Sequence, residues 1–566
     1  SLEDRRLLTA AFAEFIDPNP SLDNGFGDSV VPLSTGNVVI TAPWDDAGGE
    51  DAGAVYLFDG STGNLISTLI GSTEDDRLGL SGVTALATGN FVICSPYWDN
   101  GSVLNAGAVT FASGTAGISG VISSTNSLVG SSTNDEIGGW SRGGMRSITE
   151  LSNGNFVISS PDWDHDSATD AGAVTFGNGT TGVTGVLSAA NSLVGSSSDD
   201  QVGLFDYDGL SFVTTLTNGN YVVSSPFWDN DDLSDAGAVT FGNGTTGTSG
   251  IITSANSLVG SSSDDNLGFT NSPGISAVTP LSNGNYVVSS PDWDNGSYQD
   301  AGAFTFGNGI SGTSGTITAA NSLVGTSADD ELGRMDYEEP SAVTALPNGN
   351  YVLTSPSWDN GDLYNAGAVT FGDGTTGVTG VISAANSLIG TREYDRLGYS
   401  GITVLTNGNY VITSPFWNNP NGEYGIAYAA GAVTFANGST GITGTISESN
   451  SLVGTDSDDI VGGTNYEGFT GVIPLTNGNY VVSSRNWSFG VEVAAGAVTF
   501  GNGTTGVQGP VSSENSLIGT QMGDLVGDIS FTGFHRVHAL PNGNYVVMAS
   551  YWDNGFHYFF FSSGLI

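Results

Sequence analysis

One phrase recurs nine times along this chain, at a spacing of about 65 residues. Each copy holds a hairpin turn that closes on Asn37, Asn90, Asn155, Asn220, Asn285, Asn350, Asn409, Asn479 or Asn544. Each copy then holds a tryptophan: Trp44, Trp98, Trp163, Trp228, Trp293, Trp358, Trp417, Trp487 or Trp552. A period of this length means an array of supersecondary units, because one such unit cannot bury its apolar faces alone and must lean on its neighbours. The same repetition points away from a unique catalytic pocket and towards a surface or scaffold.

Residues 275–326 serve as the example of one copy. Strands are predicted over 275–281, 286–291, 301–306 and 316–324. Asn-Gly in Ser282-Asn283-Gly284-Asn285 is a strong hairpin signal, and Pro291 cannot continue a ladder. The small residues Gly302 and Ala303 are expected where neighbouring sheets approach most closely. Four antiparallel strands in a meander make a propeller blade. The fold class is therefore all-β: a β-propeller of about nine four-stranded blades, with an open superhelical stack of the same blades as the alternative. The array spans 27–566, with copies starting near 27, 79, 138, 203, 268, 333, 398, 462 and 527. Residues 1–26 form a closing or donor segment. The last copy supplies three strands, the third over His557–Phe561, and Glu14–Pro18 resemble the missing fourth. Used within one molecule, that strand closes a ring; used between molecules, it builds a head-to-tail filament.

Composition narrows the function. The net charge is −47, from 57 acidic and 10 basic residues, and all the basic ones are arginine. A chain without a basic footprint is not expected to bind nucleic acid or anionic lipid. The lone Cys94 lies within a strand and reads as a small buried hydrophobe. No transmembrane run or signal peptide is read, and a chain opening on Ser1 is expected to be a processed or excised form.

The first copy reads Phe26-Gly27, then Ala42-Pro43, then Gly53-Ala54-Val55-Tyr56-Leu57-Phe58. This resembles the FG-GAP repeat of integrin-α-type propellers. The Asn-Gly-Asn-Tyr-Val-Val and Ala-Gly-Ala-Val-Thr-Phe phrases resemble more closely the uncharacterised repeats of large secreted, adhesin-like bacterial proteins. The first resemblance implies a propeller. The second implies an extracellular or cell-surface protein, bacterial in origin. The integrin calcium loop does not carry over, since the turn between the first two strands has no carboxylate.

Acidic residues gather in two recurring loops. One follows the tryptophan, with Asp164 and Asp170, Asp229 and Asp235, Asp294 and Asp300. The other joins successive copies, with Asp199 and Asp200, Asp264 and Asp265, Asp329 and Asp330, Asp458 and Asp459. Carboxylate pairs of this kind could hold Ca²⁺; the competing and preferred reading is turn chemistry, in which aspartate bonds its own backbone. The nine tryptophans could be sugar platforms, but their presence in every copy favours structural anchors packing on the next blade. Trp140, Phe205 and Tyr207 lie in variable insertions and are the candidate ligand surface. Of His165, His535, His538 and His557, the last three fall in one copy and could approach one another across its sheet as a metal site, a reading weakened because His535 and His538, three apart on a strand, face opposite sides. The expected protein is a non-enzymatic structural or adhesive one, self-associating as a filament subunit. The alternatives are a module that binds polysaccharide or a host surface and, third, a polysaccharide-acting enzyme.

Overall fold

The computed structural model describes residues 14–139, 147–205, 211–269, 275–334, 342–422, 425–463, 470–490, 493–528, 537–549 and 551–552. It divides into two compact units. The first comprises 1–215, 219–229 and 240–253; the second comprises 216–218, 230–239 and 254–566. Both are all-β, and no described helix is long and apolar enough to cross a membrane.

The fifth repeat, in the second compact unit, shows how one copy folds. Its strands are Val278–Pro280, Tyr286–Ser290, Ala303–Gly307 and Ser322–Val324. They pair antiparallel in chain order. The hairpin closes with Gly284 N–H donating to Leu281 O (3.1 Å) and Leu281 N–H donating to Asn285 O (2.8 Å). Gly284 sits at φ +90°, the left-handed position that a three-residue hairpin loop reserves for glycine.

The fourth strand departs from the sequence expectation. The stretch predicted over 316–324 breaks in two. Ser322–Val324 stays in its own sheet, while Gly315–Thr316 crosses to the preceding repeat and pairs in parallel with Leu258 and Val259. Leu323 and Val324 in turn receive Gly380 and Val381 of the sixth repeat. Among the described residues the sheets of the first seven repeats, expected to be four-stranded, are thus five-stranded, the last strand lent by the following copy, while that of the eighth keeps four. In the first compact unit, Leu69 and Ile70 accept Gly120 and Val121 in the same way. The break follows from the residues between the two halves: Asn321 Oδ1 accepts Thr318 N–H (2.8 Å) while its amide donates to Thr316 O (2.9 Å), folding the chain into a tight turn.

The core lies between successive sheets. Val39, Val55 and Leu57 of the first repeat pack with Phe91, Ile93 and Trp98 of the second. Leu281, Val287 and Phe304 of the fifth pack with Tyr351, Leu353 and Trp358 of the sixth. The same arrangement joins the seventh repeat to the eighth. Each fully buried aliphatic side chain contributes about 1.5–3 kcal/mol, so the interface between repeats carries most of the stability of each one. Between the third and fourth strands a buried hydroxyl pair recurs: Thr305 with Ser322, Thr370 with Ser387 and Thr434 with Ser451, each at 2.7 Å. These pairs account for the Thr and Ser that recur in the two strand phrases from the second repeat to the eighth.

The small residues of the third strand have a different cause from the one expected. A Cβ on Gly302 would lie 2.1 Å from Leu332 N. What approaches is the backbone of the connection to the next repeat, which bridges to Gly302 in parallel.

Glu14–Asp17 form no strand. Phe15 packs on Phe58 (5.4 Å between ring centroids), and Phe26 on Tyr56 (5.9 Å), so this segment covers a face of the first sheet instead of extending an edge. The expected partner strand over 557–561 lies outside the described residues.

Candidate functional site

The paired aspartates of the inter-repeat turns are not equivalent. The first of each pair, Asp199, Asp264, Asp329 and Asp458, sits at φ +66°, +64°, +61° and +65°. This is a left-handed position that aspartate tolerates through local bonding. The second is buried: Asp200, Asp265, Asp330 and Asp459 are at most 1% exposed. Asp200 Oδ2 accepts the amides of Ser196 (2.7 Å) and Ser197 (2.8 Å), and its Oδ1 accepts the amide of Asp229 (2.9 Å) in the loop after the next tryptophan. The same three-amide set surrounds Asp76, Asp135, Asp265, Asp330, Asp395 and Asp459. One carboxylate therefore ties its own turn to a loop of the following repeat.

The loop aspartates close their own loops. Asp164 Oδ1 accepts Asp170 N–H, and Asp294 Oδ1 accepts Asp300 N–H, each at 3.0 Å. Asp170, Asp235 and Asp300 take φ of +52°, +49° and +50°. Among the described residues no group of three or more His, Cys, Asp or Glu side chains is arranged to hold a metal ion.

Burial pushes the Asp200, Asp265, Asp330 and Asp395 carboxyls up to about 6 and Asp459 up to about 7, against the opposing pull of their three amides. Raised carboxyls often mark catalytic acids. Here the oxygens are already engaged by the chain's own amides and sealed from solvent, so the arrangement holds repeats together and presents no acid to a substrate.

A second recurring bond links the hairpins. Asn285 Oδ1 accepts Gly309 N–H of its own repeat (2.8 Å), and its Nδ2 donates to Gly374 O of the next (2.8 Å). Asn90 does the same with Gly114 (3.1 Å) and Gly179 (2.9 Å).

The tryptophans from Trp98 to Trp487 are 2–4% exposed, too buried to be sugar platforms. They pack on the preceding repeat rather than the next: Trp98 joins Val55, Leu57 and Leu78, and its Nε1 donates to Ser72 Oγ at 2.8 Å. Trp44 is half-buried and Trp552 is 43% exposed. Phe205, expected at a ligand surface, is 6% exposed and belongs to the interior. Trp140 and Tyr207 lie outside the described residues, as do His535 and His557. His165 Nδ1 bonds Gly195 O (2.8 Å), as Asn295 Nδ2 bonds Gly325 O (2.8 Å), so this histidine stands in for a structural asparagine. Cys94 is buried beside Ser147.

One joint breaks the pattern, between the sixth and seventh repeats. Where the turn after the third repeat reads Ser196-Ser197-Ser198-Asp199-Asp200-Gln201, and Asp, Asn or Gly precedes the buried aspartate in the other turns, this one reads Thr391-Arg392-Glu393-Tyr394-Asp395-Arg396. The loop after Trp417 is longer and carries an extra hairpin, Asn419–Gly422 with Gly425–Ala427. Between them lies a cleft of about 690 Å³ lined by Arg392, Glu393, Tyr394, Arg396, Phe416 and Tyr428. The sequence reading missed these residues; their signal was a tyrosine, Tyr394, before the buried aspartate and two arginines in one turn.

A family described as a repeat of unknown function (DUF5650) matches at 32–80, 85–139, 150–204, 215–269, 280–334, 345–399, 404–463, 474–528 and 539–558. The matching family is this repeat and not FG-GAP. No curated protein matches. Among solved structures, a eukaryotic initiation factor is similar at 8% identity over 90% of this chain and 91% of its own, with a TM-score of 0.27. BamB from Moraxella catarrhalis is similar at 14% identity over 68% and 81%, with a TM-score of 0.23. A putative 6-phosphogluconolactonase from Bacteroides uniformis is similar at 12% identity over 76% and 96%, with a TM-score of 0.25. Likeness at these TM-scores carries no argument about this chain.

Proposed function

The chain belongs to the family of the repeat of unknown function DUF5650, and from that premise we propose that it is a non-enzymatic structural or adhesive protein, secreted or exposed at a cell surface. One observation carries the reading. The recurring aspartates, asparagines and tryptophans are used, repeat after repeat, to join one copy to the next. A scaffold built this way presents its variable loops at regular intervals and leaves its invariant residues inside.

Successive sheets act on this reading as blades packed face to face. Cover of the first sheet by Phe15 and Phe26 favours an open stack with a capped end over a ring closed by the N-terminal strand. Small-angle scattering separates the two, since a stack gives a rod-like profile and a ring a compact one. Head-to-tail association through the chain ends is tested by negative-stain microscopy with and without residues 1–26.

The functional test is adhesion against turnover. The purified chain should adhere to polysaccharide-coated surfaces without releasing reducing ends; release of sugar products would replace the scaffold reading with an enzymatic one.

A further inference from the structure

We propose that the cleft between the sixth and seventh repeats binds a carboxylate-bearing sugar, a uronic-acid unit of an acidic polysaccharide. This goes beyond the scaffold reading and does not depend on it, since an array without this site would still be a scaffold.

Charge is the first argument. The chain carries −47 net, and its described arginines are otherwise neutralised close by: Arg77 by Asp75, Arg334 by Glu331, Arg485 by Asp528. Arg392 and Arg396 have no carboxylate partner among the described residues, and both line the same cleft. Two guanidinium groups left unpaired on so acidic a chain are available to an external carboxylate, which their planar fork can take bidentately. Arg396 is held in place over the Tyr399 ring (5.6 Å), and Tyr399 packs edge-on to Phe416 (5.0 Å).

Aromatic exposure is the second. Tyr394 is 54% exposed and Tyr428 62%, and both line the cleft with Phe416. Exposed tyrosine offers a flat apolar face and a hydroxyl, the pairing suited to a sugar ring. Glu393 adds an acceptor for sugar hydroxyls.

Backbone conformation is the third. Tyr394 holds φ +62° at a turn position occupied elsewhere by Asp75, Asn134, Asp199, Asp264, Asp329 and Asp458. A bulky side chain is strained there, and strain that persists at an exposed, aromatic, arginine-flanked position fits a residue kept for contact with a ligand.

The test is isothermal titration calorimetry in 150 mM NaCl, where the chain's overall repulsion of polyanions is screened. The probes are a galacturonate hexamer, a mannuronate hexamer, maltohexaose and poly-glutamate. At least one uronate hexamer should bind, and maltohexaose and poly-glutamate should not. Arg392→Ala with Arg396→Ala should weaken binding at least tenfold at an unchanged melting temperature. Tyr428→Ala should weaken it with both arginines present, and Arg392→Lys with Arg396→Lys, which keeps the charge, should recover only part of the loss. Silence with both uronates, equal binding of poly-glutamate (a site for acidic peptide), or undiminished binding by the double alanine variant would each overturn the proposal.

Discussion

The carboxylate of Asp265 accepts the backbone amide of Asp294, 29 residues further on, at 2.9 Å, while its other oxygen holds the amides of Ser261 (2.6 Å) and Ser262 (2.8 Å). A single buried side chain thus fastens the turn between two repeats to a loop of the second. Asp265→Ala leaves three amides without an acceptor. Each unsatisfied buried donor costs about 1–3 kcal/mol, so the variant should lose at least about 3 kcal/mol. Asp264→Asn, at the exposed left-handed position beside it, should stay within about 0.5 kcal/mol of the parent. Chemical denaturation gives the two values, and hydrogen exchange at 261, 262 and 294 reports whether the loss is local.

The pH dependence follows from the same residues. Asp200, Asp265, Asp330 and Asp395 are raised to about 6 and Asp459 to about 7, above the ordinary aspartate value of about 3.9 in an unfolded chain. The folded protein therefore binds more protons than the unfolded one between those values. The stabilisation is complete below about pH 4 and is lost as pH rises through 6 to 7. The melting temperature should be several degrees higher at pH 5 than at pH 8. A fall on acidification would mean that the three amides outweigh burial at these carboxyls.

Two glycines separate crowding from backbone strain. Gly302 has φ +71° and a Cβ there would lie 2.1 Å from Leu332 N; Gly315 has φ +100° with nothing within 4 Å. Gly315→Ala should cost only the conformational penalty, about 1–2 kcal/mol. Gly302→Ala should cost clearly more, because the connection to the next repeat must move. Equal losses in paired denaturation curves would remove the steric explanation for the third-strand glycine.

Tyr394→Asn restores the residue type that other turns use at φ near +65°. It should stabilise the chain by about 1 kcal/mol, since asparagine tolerates the left-handed region and tyrosine does not. Binding of a uronate hexamer should weaken in the same variant. Stability and recognition moving in opposite directions is the signature to look for.

With a net charge of −47, self-repulsion opposes the compact state and salt relieves it. Raising NaCl from 50 to 500 mM should raise the melting temperature. Calcium chloride at matched ionic strength should raise it no further, because the buried turn aspartates already spend their oxygens on amides. An additional calcium-specific rise, reversed by chelator, would restore a metal role to the acidic loops.

The period, the hairpins and the identity of the strands were legible in the residues themselves. Alternating β-formers, Asn-Gly turns and a fixed spacing are local properties, and Tyr286–Ser290 and Ala303–Gly307 lie within a residue or two of where those properties put them. Partners distant along the chain were not legible. The break of 316–324, the parallel loan of Gly315–Thr316 to the preceding sheet, the amide of Asp294 on Asp265 and the packing of Trp98 on the earlier repeat depend on how neighbouring copies are placed in space. Propensity and periodicity describe a residue against its chain neighbours, whereas a carboxylate in a turn reads the same whether it meets water, a metal ion or an amide from the next copy; only packing selects among them. The cleft at Arg392 and Tyr394 combines both kinds of information: the aberrant turn is written in the sequence, and its meeting with Phe416 and Tyr428 is not.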